Sequence, residues 1–135
     1  MAIMTDFEKN IAATGAFILA LTVAIGAFGA HGLKKMLDTA SLNTFEVGVR
    51  YQMYHGLAIL MLAWAPALPL KLKKRIFWLF AIGILLFSGS IYLLSMKSIL
   101  PFEPSVIAFI TPVGGLLFIM GWIFLAFGIL TLKKR

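Results

Sequence analysis

Cysteine is absent from this 135-residue chain, which excludes disulfides, thiolate metal sites and thiol catalysis and leaves the redox compartment open. Acidic residues number only five, and none lies near the centre of a long apolar run. That disfavours a proton-coupled carrier built on a membrane carboxylate. A phosphate-binding glycine loop, a GxSxG elbow, an HExxH helix and paired carboxylates are all missing. Histidine occurs twice, at His31 and His55, so acid–base chemistry would have to rest on those two rings. These absences lean the reading away from an enzyme, with no cofactor and no metal expected.

What the chain has in abundance is grease. It is 61% hydrophobic and 13% charged, about half the charge of an ordinary soluble domain. A hydrocarbon slab about 30 Å thick needs roughly 20 apolar residues of helix to cross it. Residues 11–30, 51–70, 76–96 and 106–132 each meet that length, and nearly every charge lies between or beyond them. The expected fold is therefore all-α: a polytopic membrane protein with four transmembrane helices in one bundle, forming a single domain over 1–135. The flank of the first run carries Asp6, Glu8 and Lys9 and lacks the positive n-region of a cleavable signal, so this run is expected to be retained.

The formal charge of +7 sits at helix ends, without an extended basic domain around it. Anionic lipid headgroups are the expected partner rather than nucleic acid. Lys9, Lys71, Lys73, Lys74, Arg75, Lys133, Lys134 and Arg135 fall on one side of the bilayer, and Lys34, Lys35, Arg50 and Lys97 on the other. The positive-inside rule then puts both termini in the cytoplasm of an inner-membrane, multi-pass protein.

Local signals mark the helix ends. Thr5 and Glu8 have the spacing of a capping box at the start of the first helix. Ala12, Ala16, Ala20 and Ala24 recur every four residues and are expected to form a low ridge for close packing. Between the first two spans, Asn43 is the expected cap of a short outer amphipathic helix. Leu42, Phe45 and Val49 share its apolar side, and Glu46 and Arg50 are spaced for an ion pair. Pro66 and Pro69 are expected to end the second span. Pro104 suits a first helical turn, and Pro112 is expected to kink or break the entry to the fourth helix. Gly114, Gly121 and Gly128 repeat every seven residues and define a packing seam.

The polar residues gather toward the outer leaflet. His31 ends the first helix, while Arg50, Gln52 and His55 open the second, with Gln52 and His55 on one helical face. Ser88, Ser90, Tyr92 and Thr111 could approach from the other helices. Such a cluster either ties helix ends together or binds a ligand. Two histidines without a clear third ligand make a weak zinc signal, and no haem motif accompanies them.

At these residues a family resemblance emerges. Gly26-Ala-Phe-Gly-Ala-His-Gly-Leu33, Phe45-Glu-Val-Gly-Val-Arg-Tyr-Gln-Met-Tyr-His55, Phe87-Ser-Gly-Ser-Ile-Tyr-Leu-Leu94 and Ile110-Thr-Pro-Val-Gly-Gly115 resemble the domain-of-unknown-function 423 family. That is a group of small bacterial integral membrane proteins with a eukaryotic transmembrane counterpart. The resemblance implies four helices in a membrane and brings no assigned activity, so His31, Arg50, Gln52 and His55 enter only as candidates. Two functions follow as expectations. One is a non-enzymatic membrane component binding membrane lipids or protein partners, including a second copy of itself. The other is a small transporter or ligand-binding protein with its polar site near the outer leaflet.

Overall fold

The computed structural model describes residues 4–65 and 67–133. Four long helices account for most of them: α1 (Asp6–His31), α2 (Thr39–Ala63), α3 (Leu70–Ser95) and α4 (Ile110–Leu130). Short 3₁₀ turns, Leu33–Lys35 and Pro104–Ile107, precede α2 and α4. No strand occurs among the described residues.

The capping box forms as expected. Thr5 N–H donates to Glu8 Oε2 at 2.8 Å, and Glu8 N–H donates to Thr5 Oγ1 at 3.2 Å. Two of the free donors at the start of α1 are thereby satisfied. The cap of α2 differs from expectation. Asp38, not Asn43, takes the position, accepting from Ser41 N–H at 2.9 Å and from the Ser41 hydroxyl at 3.0 Å. Those donors hold the Asp38 carboxyl below the usual carboxylate range. Asn43 lies one turn inside the helix, exposed. The amphipathic segment and the second span are thus one continuous helix. Its Phe45 packs with Leu33 and Leu37 in a second small core, which Leu42 and Val49 flank.

The connection from α2 to α3 also shifts. α2 stops at Ala63, several residues short of the expected end. Pro69 caps the next helix and Leu70 begins it. Pro66 lies outside the described residues, as do Lys134 and Arg135 of the C-terminal basic group. The basic run 71–75, expected as a loop, is therefore the first turns of α3. At the other end Pro112 sits in the first turn of α4, where its missing N–H costs nothing. The chain is broken there rather than kinked. Before it, Glu103 caps the 3₁₀ turn by accepting from Ser105 N–H at 3.0 Å. The Ser105 hydroxyl and N–H keep the Glu103 carboxyl below its ordinary value.

Helices α1, α3 and α4, with their flanking turns, are long and apolar enough to cross a membrane. α2 is less apolar, because Glu46, Arg50, Gln52 and His55 fall within it. Composition misses where those groups point: Gln52 and His55 are 4% exposed. The 25 residues of α2 rise about 37 Å, and α1 and α3 run alongside it. α2 is thus long enough to reach across the same slab beside its neighbours.

Packing builds two hairpins. In the first, α1 meets α2 along Gly15, Thr22 and Gly29, all buried. A Cβ on Gly15 would stand 2.8 Å from the Leu60 backbone nitrogen, and one on Gly29 would strike the Phe45 ring. The alanine ridge does not supply this contact. Ala16, Ala20 and Ala24 are exposed, because a four-residue repeat drifts about 40° around the helix at each step. The seven-residue spacing of Gly15, Thr22 and Gly29 holds one face instead. In the second hairpin, Gly114, Gly121 and Gly128 lie buried against Phe87, Phe80 and Leu72 of α3, and Phe118 fits over Gly83. The hairpins join through α2 and α3, while α1 and α4 stay on the flanks without an extended contact. Ile11, Ile59, Ile76 and Phe80 make the centre of the core.

Candidate functional site

The polar residues that the sequence groups together separate in space. Gln52 turns toward α3, where its Oε1 accepts from the Tyr92 hydroxyl at 2.8 Å. His55, one turn on, turns toward α4. Its Nδ1 lies 2.7 Å from the Tyr51 carbonyl oxygen, and the Trp122 indole N–H donates to its Nε2 at 3.0 Å. A carbonyl only accepts and an indole N–H only donates. The ring is therefore neutral, with its proton on Nδ1. Phe118 stacks on it at 3.4 Å between ring centroids, 7° from parallel, and Phe80 meets it edge-on.

His31 and Arg50 take no part in this. Both are exposed, His31 in the last turn of α1. Arg50 borders a shallow groove of about 230 Å³ between α1 and α2. Glu46 does not pair with it, since Lys73–Glu8 is the one ion pair among the described residues. Gly56 packs against Leu19, which places His31, twelve residues farther along α1, roughly 18 Å away along the bundle. The two histidines do not share a site, and His55 belongs to the middle of the bundle rather than to the end that carries His31. No group of three or more metal-ligating side chains occurs among the described residues.

Other polar groups close in pairs. Ser88 donates to the Gly48 carbonyl at 2.7 Å, and Ser90 meets Thr111 at 2.6 Å. Thr22 donates back to the Ile18 carbonyl at 2.7 Å within its own helix. No buried side-chain nitrogen or oxygen among the described residues lacks a partner. In a medium without water this is the condition for keeping polar atoms inside at all. The arrangement braces helices, and both ring nitrogens of His55 are engaged in it.

The interior holds one ionic feature that the sequence reading missed. Lys73, 1% exposed, pairs with Glu8 across from α1 to α3. It lies three, four and seven residues before the buried Ile76, Phe77 and Phe80, so helical phase turns it inward. Its neighbours Lys71, Lys74 and Arg75 are exposed. Phase was the available signal, once residues 71–75 are taken as helix. The Trp122–His55 bond was also missed, because a single tryptophan in a uniformly apolar helix carries no directional mark.

Comparison with known proteins bears on the same residues. The model of a family described as a protein of unknown function (DUF423) matches residues 25–115. The chain belongs to this family. The matched region contains His31, Arg50, Gln52 and His55; Glu8 and Trp122 lie beyond it. Among the relatives, the UPF0382 membrane protein of Haemophilus influenzae is 43% identical over 106 residues, covering 78% of this chain and 82% of that one. The UPF0382 inner membrane protein YgdD of Escherichia coli K12 is 38% identical over 132 residues, covering 96% and 93%. A Staphylococcus saprophyticus UPF0382 membrane protein is 40% identical over 114 residues, covering 84% and 91%. No solved structure matches. Family membership and three sufficiently apolar helices together make this a membrane protein.

Proposed function

We propose that this chain is a non-enzymatic component of the inner membrane that works through its outer surface, by binding lipid or partner proteins. The observation that carries the reading is the closed interior: each buried polar side chain among the described residues is already engaged within the protein. A transporter or ligand-binding site built on His31, Gln52 and His55 is the less favoured reading, because the first is remote and the other two are bonded to Tyr92, Tyr51 and Trp122. What remains uncommitted is outside. The Ala16, Ala20 and Ala24 stripe and much of α4 face away from the bundle.

In the same reading the basic end faces the cytoplasm. The Lys73–Glu8 pair and the packing of Leu72 beside Gly128 bring the start of α1, the start of α3 and the end of α4 together at that end. The absence of cysteine makes both parts testable with unique reporters. In intact cells, Ser98→Cys should react with a membrane-impermeant maleimide and Lys71→Cys should not; the opposite pattern would invert the topology. A photo-crosslinker on Ala20→Cys in native membranes should give a discrete adduct of higher mass. Monomer alone, together with a stability indifferent to lipid composition, would overturn the reading.

A further inference from the structure

We propose that the groove between α3 and α4 at the basic end of the bundle binds one anionic phospholipid, with Lys74 and Arg75 holding the phosphate and an acyl chain lying along Trp78 and Ile82. The inference rests on the lipid-binding half of the reading above and names its ligand class and place.

The groove has a volume of about 370 Å³. Lys74 and Arg75 are among its lining residues, with Trp78, Ile82, Leu117 and Phe124. Along α3 the distance from Arg75 to Ile82 is about 10 Å, so the walls run from the headgroup level into hydrocarbon. Charge complementarity points to the occupant. Lys73 takes Glu8, the one ion pair among the described residues, which leaves Lys74 and Arg75 with no carboxylate bonded to them. The Lys74 ammonium lies 5.2 Å from the ring centroid of Phe7 on α1, a contact that leans the side chain toward α1 and leaves its charge in place. Trp78, 58% exposed one turn below Arg75, has the amphipathic ring expected at the membrane interface.

Other occupants match less of this. An acidic peptide would satisfy the two cations and leave the apolar walls unused. A purely apolar partner helix would leave the Lys74 and Arg75 charges unanswered. The larger groove between α2 and α4, about 520 Å³ and lined by His55 and Trp122, has no cation at its edge. The α1–α2 groove has Arg50 at its edge but also the Glu46 carboxylate, whereas the α3–α4 groove combines two cations with apolar walls and no carboxylate in its lining.

The test uses the full-length chain in phosphatidylcholine vesicles doped with brominated-chain lipid, which quenches tryptophan on contact. The Trp78 signal is the difference between the wild-type chain and Trp78→Phe. Brominated phosphatidylglycerol should be preferred over brominated phosphatidylcholine by a factor on the order of ten, as two cations near an anionic headgroup imply. Lys74→Gln with Arg75→Gln should bring the ratio close to one. Lys74→Arg with Arg75→Lys should retain it, and Lys97→Gln at the opposite end should not alter it. Equal quenching by the two lipids in the wild-type chain, or a preference that survives the double glutamine variant, would overturn the site. Neither result depends on the crosslinking outcome, so the broader reading stands or falls separately.

Discussion

The inside of each hairpin and the joint between the hairpins are built from different chemistry. α1 with α2, and α3 with α4, close mainly on shape: Gly15 against Leu60, Gly114 against Phe87, Phe118 over Gly83. The joint is polar. Lys73–Glu8, Ser88–Gly48, Tyr92–Gln52 and Trp122–His55 all cross it, whereas Ser90–Thr111 lies within a hairpin. Lipid tails are as apolar as leucine, so grease alone gives helices no reason to choose one another. Neighbours on a short loop need only fit closely. Hairpins that must find each other need directional bonds, and the inward-facing polar residues supply them.

The contrast can be broken at the joint first. The largest loss is expected from Glu8→Ala, which leaves the Lys73 ammonium buried without its partner. Adding Lys73→Met should restore most of the stability, as read by denaturation in mixed micelles. A double variant no better than Glu8→Ala would show that the clasp is ornamental. Next comes the seam. A Cβ on Gly114 would collide with the Phe87 backbone nitrogen, which cannot turn aside, so Gly114→Ala should cost about 2–3 kcal/mol.

A single joint bond is worth less. Trp122→Phe strips His55 Nε2 of its donor and should cost about 1 kcal/mol. Its more telling result is selective. Disulfide trapping between cysteines placed on α2 and α4 should weaken, while trapping within each hairpin should not. The smallest effects calibrate the rest. At Gly128 an added Cβ meets the end of the flexible Leu72 side chain, and at Gly89 it meets nothing within 4 Å. Gly128→Ala should be near neutral, and Gly89→Ala should stabilise by up to about 1 kcal/mol through helix propensity alone.

Much of the architecture was legible in the sequence, because span length, the Thr5–Glu8 box and the glycine heptad are local patterns. The three glycines of α4 advertise their seam. The matching seam of α1 was hidden because Thr22 occupies its middle position, its hydroxyl silenced by the Ile18 carbonyl, while the more conspicuous alanines draw attention to the wrong face. The candidate site was less legible. Gln52 and His55 could be identified as inward-facing, but a step of three residues also rotates by about 300°, enough to direct one toward α3 and the other toward α4. Lys73 was hidden by its company: four cations in five positions look uniformly solvated until helical phase singles one out.

The polar joint also has a consequence for the order of events during synthesis. Domains and their parts emerge N-terminal end first, so α1 and α2 can enter the bilayer and close while α3 is still in the ribosome. During that interval Glu8, Gln52 and His55 await Lys73, Tyr92 and Trp122, and the half-made protein offers unsatisfied groups to any passing helix. Two separately translated pieces, divided in the connection between Ala63 and Leu70, would carry the complementary groups needed to recognise each other and reassemble.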